Sequence, residues 1–309
     1  MISKVDELRD QIVRVFLGAS PAVDWTLCCL FARGHALLED VPGVGKTLLA
    51  SVLAKSIDSP FSRIQLTPDM LPADLLGVSI FSRDGDVLRF QPGPIFTSIL
   101  LADEINRTTP KTQSALLEAM SEAQVSIDGK THGLPQPFMV IATQNPTDFA
   151  GTYPLPENQL DRFLMRISLG YPDAEAETRL LDIRPATTLL DTLEPVMHAD
   201  DVLAIQNAVD GVHLDESIRR YIVEIAHRTR ESEEIRVGLS PRGSLALAQA
   251  SKAWAWMNGR SFVNPDDVLQ IISPVCAHRI VIHGNSIDSN WQQAEDLLTA
   301  CARLVAAPA

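Results

Sequence analysis

The stretch HALLEDVPGVGKTLLA, residues 35–50, joins a short apolar run to an apolar helix through a loop that contains two glycines. Gly43 and Gly45 permit backbone conformations in which consecutive N–H groups point at one anion, beside the first turn of a helix. The full phosphate-loop pattern is Gly, four residues, then Gly-Lys-Ser/Thr. Here Asp40 stands at the first glycine position. The stretch therefore raises the question of whether a loop with this departure binds a nucleotide.

The residues at the end of the loop favour a nucleotide site. Lys46 would reach the terminal phosphates, and Thr47 would place a hydroxyl on Mg²⁺. The missing glycine lies at the strand exit, farthest from the lysine. An L-residue can turn the chain there, with the Asp40 carboxylate pointing away from the phosphates. The predicted binding residues of the loop are Pro42, Gly43, Val44, Gly45, Lys46, Thr47 and Leu48.

Composition limits the class of protein. The 309 residues suit one large domain or two moderate ones, and 46% of them are apolar, enough for a substantial core. The net charge is −13 and the pI about 4.9. Nucleic-acid-binding faces need clustered basic charge, and no basic run occurs here, so the acidic balance disfavours such a face without excluding a local basic loop.

The cysteines and the N-terminal segment favour a cytoplasmic setting. Cys28, Cys29, Cys276 and Cys301 lack zinc-ligand spacing, so we expect buried thiols in a reducing compartment. The first fifteen residues carry charges throughout, unlike a signal peptide. No apolar run approaches the roughly 18 residues of a membrane span. We expect a soluble, cytoplasmic protein.

Strand-like and helical patterns alternate over the first half of the chain, which is typical of an α/β fold with a parallel sheet covered on both faces. Helices are predicted over residues 2–17, 23–32, 47–57 and 110–123. Strands are predicted at residues 35–39, 61–66, 98–103, 138–143 and 164–170.

Two segments interrupt this alternation. Residues 77–93 and 124–135 each alternate around an Asp-Gly pair, which predicts two inserted hairpins, although ordinary surface decoration would read the same way. After residue 171 helical patterns dominate to the end. We place a domain boundary near residues 172–190, with an α/β core at 1–175 and an all-helical domain at 176–309.

An acidic pair lies at the end of the apolar strand predicted at residues 98–103. SILLADEINR, residues 98–107, delivers Asp103 and Glu104 at the carboxyl edge of the sheet, the expected place for ligand chemistry. Asp103 would hold Mg²⁺, directly or through water, and Glu104 would polarise the attacking water. The alternative is that both acids only start a helix, where negative charge is favoured.

Three further polar residues are candidates for the same chemistry. Asn145, after the fourth strand, could hold the attacking water and the γ-phosphate, although Asn-Pro alone is a turn signal. Arg162 could stabilise transition-state charge in trans across a subunit interface, or form a surface ion pair. Arg242 begins a helix, where acids are usually preferred, so this placement indicates a role other than stabilising the helix.

Taken together, these segments resemble the AAA+ ATPases, and more closely the MoxR family. The resemblance rests on LLEDVPGVGKT, LLADEINRTTPKTQSALLEAMSEAQV, IATQNP, YPLPENQLDRF and LSPRG, and it covers nearly the whole chain. The family commonly tolerates a residue other than glycine at the position of Asp40.

The resemblance implies an AAA+ phosphate-loop core with a five-stranded parallel sheet, two inserted hairpins and a C-terminal helical lid. It implies ATP and Mg²⁺ as ligands. Lys46 and Thr47 match Walker A, and Asp103 and Glu104 match Walker B. The remaining matches are Asn145 as sensor 1, Arg162 as the arginine finger, Arg242 as sensor 2 acting in cis or on a neighbour's site, and Gly18 against the adenine.

The resemblance also implies a function. Similar proteins form rings, hexameric by resemblance, and act as chaperones with partners that carry von Willebrand A domains. Two alternatives stay open. The first is a nucleic-acid motor of the related helicase clade, disfavoured because Arg83, Arg89, Lys130 and His132 in the hairpins are nearly balanced by acids. The second is a nucleotide-gated switch with little turnover, disfavoured by Glu104.

Overall fold

The computed structural model describes residues 1–16, 20–41, 43–81, 88–145, 152–182, 190, 192–283 and 291–308. Two helices precede the first strand, and the core then alternates strands with helices. The core helices are α1 (Ile2–Val15), α2 (Ser20–Phe31), α3 (Lys46–Ser56), α4 (Pro72–Leu76), α5 (Pro110–Glu122) and α6 (Glu157–Leu160). Pro110 begins α5 at the first turn, where its missing N–H costs no hydrogen bond.

The central sheet contains five strands within the described residues, all paired in parallel. They are β1 (Ala36–Glu39), β2 (Phe61–Gln65), β5 (Ile99–Asp103), β8 (Met139–Gln144) and β9 (Met165–Ile167), in the spatial order β2-β5-β8-β1-β9. The predicted α/β fold with this sheet is confirmed. β9 is shorter than the predicted strand at residues 164–170, because the N–H groups of residues 169 and 170 bind the Asp40 side chain instead of another strand.

Both predicted hairpins are present as antiparallel pairs. The first hairpin consists of β3 (Gly77–Phe81) and β4 (Leu88–Pro92), and its turn lies outside the described residues. The second consists of β6 (Gln124–Ile127) and β7 (Lys130–Gly133), and its turn has positive φ at Asp128 and Gly129. The two touch through Phe90 and His132, whose rings stack at a centroid distance of 4.1 Å.

The C-terminal half is helical, as predicted. Its helices are α7 (Ala174–Asp182), α8 (Ala199–Asp210), α9 (Glu216–Glu231), α10 (Pro241–Met257), α11 (Pro265–Cys276) and α12 (Trp291–Arg303). One departure is a two-stranded antiparallel ribbon, β10 (Ile235–Val237) with β11 (Val281–Ile282). These strands are too short to give an alternating pattern that sequence analysis can detect.

The sheet separates two hydrophobic clusters, because successive strand residues point to opposite faces. Leu37, Leu100 and Val140 pack on one face with α5. Leu38, Leu101 and Ile141 pack on the other face with α1, α2, α3 and the C-terminal helices. The C-terminal helices therefore share an apolar cluster with the core.

Two expectations from composition concern burial. All four cysteines are buried free thiols, as predicted, and burial raises the pKa of each. Within the described residues, no helix is both long enough and apolar enough to cross a membrane.

Candidate nucleotide-binding site

The loop between β1 and α3 has the backbone geometry that anion binding needs. Gly43 and Gly45 have φ of +88° and +93°, which side-chain-bearing residues rarely adopt. α3 begins directly after Gly45, so its free N–H groups face the loop. The Lys46 ammonium donates to the carbonyl oxygen of Asp40 at 2.7 Å. Burial lowers the pKa of Lys46, and the nearby carboxylates partly oppose this shift.

A cavity of about 400 Å³ opens beside this loop, a size that suits a small-molecule ligand. It lies at the carboxyl edge of the sheet, where β1, β5 and β8 end. Its lining residues are Gly43, Gly45, Lys46, Thr47, Leu48, Arg63, Gln65, Asp103, Glu104, Thr143 and Asn145. Parallel strands thus bring together groups that lie far apart in the chain.

The two acids after β5 are held by different neighbours. Asp103 is nearly buried, and its Oδ2 accepts from Arg63 Nε at 2.6 Å, while its Oδ1 accepts from the Thr143 hydroxyl at 3.2 Å. Glu104 Oε2 accepts from Gln65 Nε2 at 2.7 Å and from Arg107 Nη1 at 2.9 Å. Each carboxylate is therefore oriented by at least one cation or amide of this chain.

Glu104 has a strained backbone. Its φ and ψ are both 56°, in the left-handed region, and its N–H donates to the Thr143 hydroxyl at 2.9 Å. A non-glycine residue in this region costs of order 1–3 kcal/mol, and such residues cluster at functional sites. The turn directs the chain abruptly away from β5 and leaves the Glu104 side chain at the cavity.

The structure resolves the role of Asp40, the residue at the missing glycine. Its Oδ2 accepts from the Ser168 hydroxyl at 2.9 Å and from the N–H groups of Leu169 at 2.8 Å and Gly170 at 2.7 Å. Its Oδ1 accepts from the N–H of Val41 at 2.9 Å. The carboxylate therefore points away from the cavity, as predicted. Because it takes the N–H groups of 169 and 170, β9 ends at Ile167.

The two candidate arginines lie elsewhere. Among the residues that the structure describes, the cavity lining includes neither Arg162 nor Arg242. Arg162 Nη1 donates to the Leu117 carbonyl at 2.7 Å and to the Ser121 hydroxyl at 2.8 Å. Arg242 is exposed, with its Nε 4.0 Å from Asp161 Oδ2. Asp161 and Arg162 precede β9, so both arginines lie toward the amino edge of the sheet, away from the cavity.

Several residues at the cavity and around Asp161 were not predicted from the sequence. Arg63 and Gln65 alternate along β2, where their long polar side chains could have been noticed on either side of Ile64. Arg279 is also new: it is buried and donates to Asp161 Oδ1 at 2.8 Å and to the carbonyl of Phe163 at 2.6 Å. The predicted contacts of Gly18 and Pro42 lie outside the described residues.

A glycine loop opening a helix, an acidic pair after another parallel strand of the same sheet and a helical C-terminal domain define the AAA+ class of nucleotide-binding proteins. Residues 35–165 match the ATPase family associated with various cellular activities (AAA), and residues 227–306 match the AAA lid domain. The domain boundary predicted at 175/176 lies between these segments and remains a prediction.

The chain belongs to the MoxR family of AAA+ ATPases. It is 38% identical to Chaperone MoxR1 of Mycobacterium tuberculosis, over 88% of this chain and 74% of that protein. It is 48% identical to YeaC of Bacillus subtilis, over 89% of this chain and 86% of YeaC. A solved structure from Cytophaga hutchinsonii, a protein inferred to be an ATPase, matches with a TM-score of 0.89 and 36% identity, covering 100% of this chain and 96% of that one.

Proposed function

We propose that this protein hydrolyses Mg·ATP in a homo-oligomeric ring and uses the cycle for chaperone-like remodelling or maturation of partner proteins. The observation that carries the proposal is the division of the predicted groups. Lys46, Asp103, Glu104 and Asn145 line one cavity, whereas Arg162 and Arg242 lie outside it. A site that needs Arg162 or Arg242 is therefore incomplete in one subunit.

The loop residues would bind the triphosphate. Backbone N–H groups at Gly43 and Gly45 and the ammonium of Lys46 supply positive potential at the helix start. The Thr47 hydroxyl and the Asp103 carboxylate are hard oxygen donors, which Mg²⁺ prefers, so the cavity fits the ion. Bound there, Mg²⁺ would neutralise charge that develops on the β- and γ-phosphates.

Glu104 and Asn145 would act on the attacking water. Glu104 would orient and polarise the water that attacks the γ-phosphorus, with ADP as leaving group, and Asn145 would hold the water against the phosphate. In the structure Gln65 and Arg107 both hold Glu104 Oε2. We infer that catalysis requires Glu104 to exchange these partners for the water.

The two arginines would complete a neighbouring subunit's site. Arg242 Nε lies 4.0 Å from Asp161 Oδ2, and Asp161 directly precedes Arg162, so the two arginines belong to one region ahead of β9. This geometry supports action in trans for Arg242 as well as for Arg162. An arginine supplied across an interface stabilises transition-state charge without contributing to its own subunit's pocket.

Partner proteins would be reached through the inserted hairpins. Phe81 at the end of β3 is largely exposed, and Phe90 and His132 join the first hairpin to the second. A protein client, with a von Willebrand A domain protein as a further partner, fits a family that includes a chaperone.

The test is steady-state ATP turnover per subunit over a wide range of protein concentration. Specific activity should rise with concentration, and Glu104→Gln should lower kcat by about 100-fold or more because it removes the water-polarising carboxylate. Turnover that stops near one ATP per site would favour the nucleotide switch instead. Flat specific activity would contradict the requirement for a neighbour.

Mixing variants tests the arginines directly. Lys46→Ala subunits lack a functional pocket but retain both arginines, whereas Arg162→Ala or Arg242→Ala subunits retain the pocket. If the arginines act in trans, each inactive variant should regain turnover when mixed with Lys46→Ala. Arg220→Ala, at an exposed position of α9, is the control and should remain active alone. Failure of every mixture to recover activity would place the arginines in cis.

A further inference from the structure

Asp40 joins the nucleotide loop to the chain segment that leaves the core. Its carbonyl oxygen accepts from Lys46 Nζ at 2.7 Å, on the cavity side. Its carboxylate accepts three bonds from residues 168–170, on the other side. One residue thus contacts both the phosphate-binding ammonium and the segment between β9 and α7.

The segment at residues 168–170 is the connection from the core to the lid. Ser168 and Gly170 are exposed, and Gly170 has φ of +66°. Leu169, which lies between them, is buried in the hydrophobic cluster, so its packing and the three hydrogen bonds to one carboxylate together determine where the connection starts. A glycine at position 40, as in the full phosphate-loop pattern, would leave these three donors without that acceptor.

The preceding residue makes a second link in the same direction. Glu39 forms an ion pair with Arg166, the middle residue of β9, and both side chains are nearly buried. The Arg166 guanidinium carbon lies 4.4 Å from the ring centroid of Trp291, the first residue of α12. Glu39 therefore binds β9 through Arg166, and Asp40 binds the residues that follow β9. Through Arg166, the Glu39 contact extends to Trp291 of a lid helix.

Lys46 has three N–H donors, and one of them goes to the Asp40 carbonyl, so a phosphate bound to the other donors would pull on an ammonium that is hydrogen-bonded to Asp40. Phosphate binding at the loop would therefore alter the hydrogen bond between Lys46 and the Asp40 carbonyl. A shift of Asp40 would in turn move residues 168–170, which are hydrogen-bonded to its carboxylate. We infer that Asp40 is a positioning residue that couples nucleotide occupancy to the core–lid connection. This inference rests on the proposed nucleotide binding.

The test separates binding from coupling. We would measure the Kd for Mg·ADP, kcat and KM for ATP, and hydrogen exchange of residues 168–178 and 291–303 with and without Mg·ADP. In the wild type, Mg·ADP should change the exchange of both segments. Asp40→Ala should keep Kd and KM within about threefold, lower kcat by about tenfold and lose at least about half of the nucleotide-dependent exchange difference.

Two variants establish that the carboxylate is responsible. Asp40→Asn keeps one oxygen acceptor for the N–H groups of 169 and 170 but places an amide N–H₂ near the N–H of Val41, so it should recover part of the coupling. Ser168→Ala removes one of the three donors and should have a smaller effect in the same direction. Asp215→Ala is the matched control, because Asp215 accepts from the N–H and hydroxyl of Ser217 within the lid.

The outcomes are distinguishable. If Asp40→Ala weakens Mg·ADP binding by more than about tenfold, Asp40 serves the loop alone and the inference is wrong. The inference is also wrong if Mg·ADP changes hydrogen exchange as much in Asp40→Ala as in the wild type. It is wrong as well if Mg·ADP does not change hydrogen exchange of the lid in the wild type. Absence of Mg·ADP binding to the wild type would instead remove the proposed function itself. Thermal unfolding of each variant establishes that it is folded, and Asp40→Asn carries the test if Asp40→Ala is not.

Discussion

Glu104 and Gly45 both have positive φ at the cavity, but the physical reason differs. Glu104 accepts backbone strain that directs a carboxylate to the site. Gly45 is restricted twice, by its φ of +93° and by space. A Cβ built on Gly45 would lie 2.9 Å from Cε2 of the buried Phe16 ring, whereas a Cβ on Gly43 would meet nothing within 4 Å.

The difference between Gly43 and Gly45 gives a prediction at the scale of single residues. Gly43→Ala should destabilise the nucleotide-free protein by about 1–3 kcal/mol, from backbone strain alone. Gly45→Ala should destabilise it more, because the ring of Phe16 must also move. Urea unfolding without nucleotide measures both. Phe16→Leu should recover part of the extra loss in the Gly45→Ala background, and equal losses for the two alanine variants would contradict the proposed clash.

Residues in the loop and at strand ends could be predicted because their chemistry is read locally. Lys46 follows its glycines, and Asp103 and Asn145 follow apolar runs. Arg63, Gln65 and Arg279 could not be assigned, since their roles depend on which strands and helices are neighbours. The sheet order puts β2 beside β5, and this order brings Arg63 to Asp103.

At the scale of elements, the turn between α11 and β11 holds the lid against the amino edge of the sheet. Arg279 is nearly fully buried and contacts Asp161 and the carbonyls of Phe163 and Leu164, and His278 contacts the Phe163 carbonyl at 3.1 Å. Arg242 is near the other oxygen of Asp161 but is exposed. One carboxylate thus has a buried arginine and an exposed arginine as neighbours.

The two arginines should behave oppositely when replaced. Arg279→Ala should destabilise the protein by about 3–5 kcal/mol, because it breaks a buried, hydrogen-bonded ion pair. Arg242→Ala should change stability by less than about 1 kcal/mol, because exposed pairs contribute little. Chemical unfolding measures this difference. Relative to its loss of stability, Arg242→Ala should lose more ATP turnover than Arg279→Ala. Comparable destabilisation by both variants would contradict the division into an anchoring and a chemical arginine.

Element existence could be predicted better than element length. Apolar runs identify the five core strands, and alternation around an Asp-Gly pair identifies each hairpin. The end of β9 could not be predicted, because it depends on hydrogen bonds that residues 169 and 170 donate to Asp40, more than a hundred positions earlier. The ribbon of β10 and β11 likewise pairs segments that carry no local strand pattern.

At the scale of the whole molecule, the lid and the core are less separate than the change of sequence pattern indicates. One hydrophobic cluster contains Leu8 and Leu27 of the N-terminal helices together with Ile225, Leu247 and Leu298 of the lid. Periodicity shows that each helix has an apolar face but not which face it meets. Shared packing favours small sliding of helices over a wide swing of the lid, because close-packed interfaces resist continuous deformation.

Two buried histidines lie within this packed interior. His35 Nδ1 accepts from the N–H of Val140 at 2.9 Å, so Nε2 carries the proton toward the carbonyl of Met120 at 3.0 Å. Burial is the main reason that the pKa of His35 falls from its ordinary value of 6.5 to about 4. Burial, and then the charge of Arg279, hold the pKa of His278 well below its usual range.

The folded protein should therefore lose stability as the pH falls from 6.5 to about 4. In this window unfolded His35 binds a proton that folded His35 does not, so the free energy of unfolding decreases by up to about 1.4 kcal/mol per pH unit for this residue. His278 acts in the same direction. Urea unfolding at several pH values measures the slope. His35→Gln offers an amide at the same position and should reduce the slope by about one proton, whereas His227→Gln, at an exposed position of α9, should leave it as in the wild type. An unchanged slope in His35→Gln would mean that His35 takes up its proton equally in the folded and unfolded states.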